Sequence, residues 1–82
     1  MVIHSINSKV MEKFSCTKIR GLANRNSWVE VDQILSNGEY TYQVFYATYN
    51  EKNGWHRGSK IAKTKERAYK IFEDKCAQYK IF

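Results

Sequence analysis

The run WVEVDQILSNGEYTYQVFYATY, residues 28–49, constrains the fold more than any other stretch of the chain. Through WVEVDQIL, Val29, Val31 and Leu35 fall on one side and Glu30 and Asp32 on the other, the period of a half-buried strand. SNG, residues 36–38, predicts a hairpin turn, because Asn and Gly tolerate the positive φ such a turn demands. The returning strand is EYTYQVFYATY, residues 39–49. Its Tyr40, Tyr42, Val44 and Tyr46 point toward the core, and Thr41, Gln43, Phe45, Ala47 and Tyr49 point away.

A second turn follows at NEKNG, residues 50–54, and a third strand at WHRGSKIA, residues 55–62, ragged at Gly58. Thr64 suits a helix N-cap. Beyond it Ala68, Ile71, Phe72, Cys76 and Tyr79 fall within one arc of a 3.6-residue wheel, with Glu66, Arg67, Lys70, Glu73 and Asp74 outside, so this helix is expected to cover the sheet. Near the amino end, SKVMEKF predicts a short helix starting at Ser8 with Val10, Met11 and Phe14 apolar, although the β-formers of FSCTKIRGL would also suit a strand. The order α-β-β-β-α defines the expectation: one α+β domain over residues 1–82, a three-stranded antiparallel meander packed against a C-terminal helix, with a short N-terminal helix before it.

A chain of 82 residues buries only roughly 60–65% of the surface its unfolded form exposes, so the core is thin. Its apolar runs are short, and Lys9, Glu12, Lys13 and Lys18 interrupt the first twenty residues, which predicts neither a membrane span nor a secretory leader and hence a cytoplasmic protein. Cys16 and Cys76 match no metal or redox spacing and read as two reduced, buried thiols, with a bridge between them as the alternative. Proline is absent while Lys, Asn, Ile, Tyr and Phe are frequent, the bias of AT-rich coding sequence such as that of bacteriophages, archaeal viruses or low-GC bacteria.

Little in the chain suggests catalysis. His4 and His56 lack partners at metal-ligand spacing, and a Cys16–His56 nucleophile pair has no evident orienting or oxyanion group. Glu30 and Asp32 sit about 7 Å apart on one strand face, but the outer side of an edge-like strand is wet, so they read as solvated charges or an acidic contact surface. GSK, residues 58–60, lacks the remainder of a phosphate loop. The expectation is a non-enzyme with no metal and no cofactor.

Charge carries the functional signal. The net charge is +6, distributed as +4 over residues 1–26, −4 over residues 27–51 and +6 over residues 52–70. Lys63 and Lys65 stand where the last helix begins, a position at which cations cost a few tenths of a kcal/mol each. A polyanion at that helix start would explain them, with Arg57, Lys60, Lys63, Lys65, Arg67 and Lys70 as the nucleic-acid contacts. Trp55, with Phe45 and Tyr49, could stack on bases, although Trp55 reads first as a core residue.

Residues 40–75 resemble the AP2-like arm-site DNA-binding domain of phage-type tyrosine recombinases. The resemblance rests on Tyr42, Val44 and Tyr46, on the Asn53-Gly54 turn, and on Lys63, Thr64, Lys65, Glu66 and Ala68. It implies three strands packed on one helix, with the sheet inserted into the major groove of DNA. Glu30 and Asp32 depart from it, because they fall on the face DNA would approach. The double-stranded RNA-binding domain is similar in its α-β-β-β-α order and its Lys-rich helix start, echoed here by Gly58, Lys63, Lys65 and Ala68.

The resulting expectation is a nucleic-acid-binding accessory protein of viral or mobile-element origin, with DNA favoured over RNA and no membrane partner. The alternative is a small viral protein that binds and inhibits or redirects a host protein, of anti-CRISPR or host-regulator type. Its contact surface would be Glu30, Asp32, Glu39 and Glu51 or exposed aromatic residues.

Overall fold

The computed structural model describes residues 14–81. Four strands and one helix follow in chain order: β1 (Phe14–Ala23), β2 (Ser27–Ser36), β3 (Glu39–Asn50), β4 (Gly54–Ala62) and α1 (Lys65–Gln78). The strands form one antiparallel sheet in the order β1-β2-β3-β4. The expected three-stranded meander is therefore corrected to four strands. The added strand is FSCTKIRGLA, whose β-formers prevail from Phe14 onward because β2 offers it a complete pairing edge. The helix expected from Ser8, with Val10 and Met11, lies outside the described residues, as does His4, while Phe14 is already in β1.

Local chemistry sets each turn. Asn37 and Gly38 take φ of 53° and 82°, the pair of positive values that closes a two-residue hairpin with the right-handed twist of its strands. The β3–β4 connection has three residues between Asn50 and Gly54, with Gly54 at φ 78° and Asn50 Oδ1 accepting from the Lys52 amide at 2.8 Å. At the β1–β2 turn, Asn24 Oδ1 accepts from the Asn26 amide at 2.9 Å.

The helix covers one face of the sheet, over β2, β3 and β4. Val29, Val31, Tyr42, Val44, Ala62, Ala68, Phe72 and Cys76 are buried between the layers, with Ile19, Ile71, Tyr79 and Ile81 packed at their margin. The expected helix arc is this set. Tyr40, expected on the core side, is 53% exposed. It has the correct facing, but β3 has 12 residues and runs about 40 Å. The 14-residue helix spans only about 21 Å and leaves that end of the strand bare.

Strand β1 lies beyond the helix and is joined to it by a bulge. The register shifts between Lys18 and Arg20, and Ile19 is the extra residue, packed against the core. Arg20 then pairs with Val31 and lays its guanidinium over Tyr69 and Phe72, 5.2 and 4.6 Å from the ring centroids. Its stem and planar head serve as a roof over a part of the sheet that no second helix covers among the described residues.

Strand β4, expected to be ragged at Gly58, pairs continuously, with Gly58 opposite Tyr46. A Cβ at Gly58 would lie 2.6 Å from Tyr46 Cε1, so the glycine is there to let the tyrosine ring lie flat across the strand. Lys75 Nζ covers that ring from the helix side, 4.1 Å from its centroid.

Candidate functional site

The two faces of β4 divide the expected contact residues. In register, Lys60 lies opposite Val44 and Ala62 opposite Tyr42, on the helix-covered side, whereas Arg57 lies opposite Ala47 and Trp55 opposite Tyr49, on the uncovered side. Along α1, Arg67, Lys70, Ile71, Asp74 and Gln78 recur at helical spacing and turn one flank of the helix toward β4. Lys60, Arg67, Lys70 and Lys75 thereby line a groove between the edge strand and the helix, with Ile71, Asp74 and Gln78. Four cations face one carboxylate. Among the described residues the one ion pair is Lys18–Glu30, at 3.9 Å, so none of the groove cations is neutralised by a salt bridge.

Of the seven residues singled out from the sequence, Lys60, Arg67 and Lys70 meet in this groove. Arg57 and Trp55 stand on the other face of the same strand. Lys63, in the bend after β4, and Lys65, at the first helical position, are exposed and outside the groove lining. One amide of the helix start is capped internally, since Thr64 Oγ1 accepts from the Arg67 amide at 3.2 Å. Positive charge is thus carried by Lys63, Lys65 and Arg67 around the first turn and continues along the β4-facing flank of α1 through Lys70 and Lys75.

Lys75 was missed by the sequence reading because it lies in a tail whose charges cancel. The signal was present: Lys75 is four residues from both Ile71 and Tyr79, which places it on the margin of the buried arc. Its ammonium is held over Tyr46 and donates to Gln78 Oε1 at 3.3 Å.

The uncovered sheet face holds the acids. Pairing with β1 makes β2 an interior strand, so Glu30 and Asp32 are half-buried, not solvated as expected for an edge. Asp32 Oδ2 accepts from the Cys16 thiol at 3.5 Å, while Asp32 Oδ1 is buried without a partner. A hydrogen bond with Asp32, then burial and the Asp32 charge, raise the Glu30 carboxyl above its ordinary range, with Lys18 opposing.

The cysteines follow their surroundings. Both are free; Cys76 is buried as expected, whereas Cys16 is exposed, because no described element lies over β1 on that face. Desolvation, the bond to Asp32 and the charges of Asp32 and Glu30 push the Cys16 thiol up, away from the nucleophilic thiolate. His56 stands on β4 and Cys16 on β1, the two opposite edges of the sheet, so the considered nucleophile pair does not meet. Among the described residues no three His, Cys, Asp or Glu side chains are grouped to hold a metal ion. Nor is any described helix long and apolar enough to cross a membrane.

Trp55 is 47% exposed and forms an edge-on pair with Tyr49, 5.5 Å between centroids at 64°. The expectation of a core tryptophan fails because the described residues place one covering layer on the sheet and Trp55 points to the other side. Trp28, in alternation with Glu30 and Asp32, shares that uncovered face. Compared with protein-family models, with curated proteins and with solved structures, the chain matches none.

Proposed function

We propose that this protein is a non-enzymatic nucleic-acid-binding domain that holds phosphates in the groove between β4 and α1. The observation that carries the reading is the convergence of Lys60, Arg67, Lys70 and Lys75 on one groove with a single carboxylate and no compensating ion pair. Arg67 brings a planar fork that matches a phosphate, and the lysines bring point charges. Such an array exchanges condensed counterions for protein cations, so its affinity depends steeply on salt.

The test is a titration of a labelled oligonucleotide at several salt concentrations. Three to four neutralised phosphates give a log–log slope of roughly −2 to −4. Changing Lys60, Lys70 and Arg67 together to Glu abolishes the binding, while thermal unfolding stays close to that of the parent because all three side chains are exposed. Retention of binding by this triple variant would refute the reading.

A second reading, a small regulator that binds a host protein, draws on the exposed Tyr49–Trp55 pair and the half-buried acids of the uncovered face. Co-purification of one protein partner in stoichiometric amount after nuclease treatment, lost on Trp55→Ala but not in the groove variant, would favour it.

A further inference from the structure

We propose that the uncovered sheet face receives unstacked bases, so that the ligand of the basic groove is single-stranded DNA. This rests on the groove reading and adds the kind of strand bound. Four rows cross the face in register. Tyr49 and Trp55 form the first, Trp28, Ala47 and Arg57 the second, Glu30, Phe45 and Ser59 the third, and Asp32, Gln43 and Ile61 the fourth. Trp55 and Tyr49 present exposed rings at one corner. Beside Trp28 a recess of about 270 Å³ is opened by the small residues Gly21 and Ala23, with Lys18 and Glu30 at its rim. An exposed ring corner beside a recess with an indole wall is a surface for flat, apolar-faced groups.

Charge decides which flat group. Strand β4 is the sheet edge, with Arg57 on its open side and Lys60 on its groove side, so cations flank both sides of one strand. A polynucleotide backbone following this edge keeps its phosphates near Arg57, Lys60, Arg67 and Lys70 and turns its bases inward across the open face. Glu30 and Asp32 lie two strands inboard, on β2. They repel a second phosphate backbone laid across the sheet, which a duplex would require, while Glu30, at the rim of the Trp28 recess, accepts amino hydrogens from a base held there. Bases inside a duplex are stacked on one another and closed to protein rings, whereas an unpaired strand offers both π-faces. Next to Phe45, Gln43 Nε2 donates to Ser59 Oγ at 3.1 Å, so one donor there is already used, and stacking on the rings, which needs no ribose 2′-hydroxyl, leads the recognition.

The experiment titrates the full chain with a short single-stranded DNA, the RNA strand of the same sequence and the DNA duplex, following tryptophan emission and the anisotropy of a label. Expected are quenching of the tryptophan emission and binding of the single DNA strand roughly tenfold tighter than the duplex. Trp55→Ala weakens that binding by roughly tenfold with the salt slope unchanged, and Trp55→Phe restores most of it. The groove triple variant loses binding to every strand. Equal or tighter binding of the duplex, or indifference to Trp55→Ala, with the salt slope intact, overturns the base-stacking inference and leaves the groove reading standing. Equal or tighter binding of the RNA strand overturns the assignment to DNA. Absence of binding to all three overturns both.

Discussion

At the scale of single residues, the uncovered face holds a carboxyl, that of Glu30, whose titration couples pH to stability. The Glu30 carboxyl is raised above its ordinary value of 4.5, chiefly by its hydrogen bond to Asp32 and then by burial. Its folded-state value thus exceeds its unfolded one. The associated stability is fully present below the unfolded value and is lost as pH rises through the folded value. Glu30→Gln keeps a hydrogen-bond donor toward Asp32 and removes the titration. The variant is expected to unfold at a higher temperature than the parent at neutral pH, and to lose less stability between the ordinary carboxylate range and neutrality. Loss of the contact with Lys18 costs little, since that pair is long and its lysine exposed. Parallel pH profiles for parent and variant would show that Asp32 draws no proton from Glu30.

At the scale of elements, the end of α1 shows where local and tertiary preferences disagree. Lys80 adopts φ 56°, and its amide bonds Ala77 O at 3.2 Å while that of Ile81 bonds Cys76 O at 2.9 Å, a left-handed cap. Asn24 Nδ2 donates to Tyr79 O at 3.2 Å, tying this cap to the β1–β2 turn. Lysine is a costly residue at such φ, so Lys80→Gly is expected to stabilise the protein by about 0.5–1 kcal/mol, read as a higher urea midpoint with an unchanged m-value. Elements with internal periodicity were legible from sequence: β2 and β3 by alternation, their turn by Asn37-Gly38, α1 by its buried arc and by Thr64. Strand β1 was not, because its identity depends on a partner. FSCTKIRGL alternates poorly, its bulge at Ile19 breaks the period, and only pairing with β2 decides it. The same dependence hid half of the candidate site. Basic residues can be counted along a chain, but which side of β4 each occupies follows from register, and that separates Lys60 from Arg57 and Trp55.

At the scale of the whole molecule, the described residues set one helix on one face of four strands, which makes stability and recognition properties of opposite sides. A domain of this size holds about 4–12 kcal/mol in total, and its apolar burial is concentrated under α1, where Phe72 is the largest fully buried side chain. Removing that ring leaves a cavity bounded by two layers. Phe72→Ala should therefore cost about 3–5 kcal/mol, and at about 4–8 °C per kcal/mol it leaves the chain largely unfolded near physiological temperature. Trp55→Ala removes a larger side chain from the uncovered face, yet no described element lies over its ring, so the change should cost under about 1 kcal/mol, most of it the lost edge contact with Tyr49. Paired thermal melts of the two variants thus measure the sidedness of the fold directly. A large loss for Phe72→Ala beside a small one for Trp55→Ala leaves the aromatic corner free to serve a ligand. Comparable losses would mean that the second face is itself a core, and that its aromatic side chains are engaged in holding the sheet together.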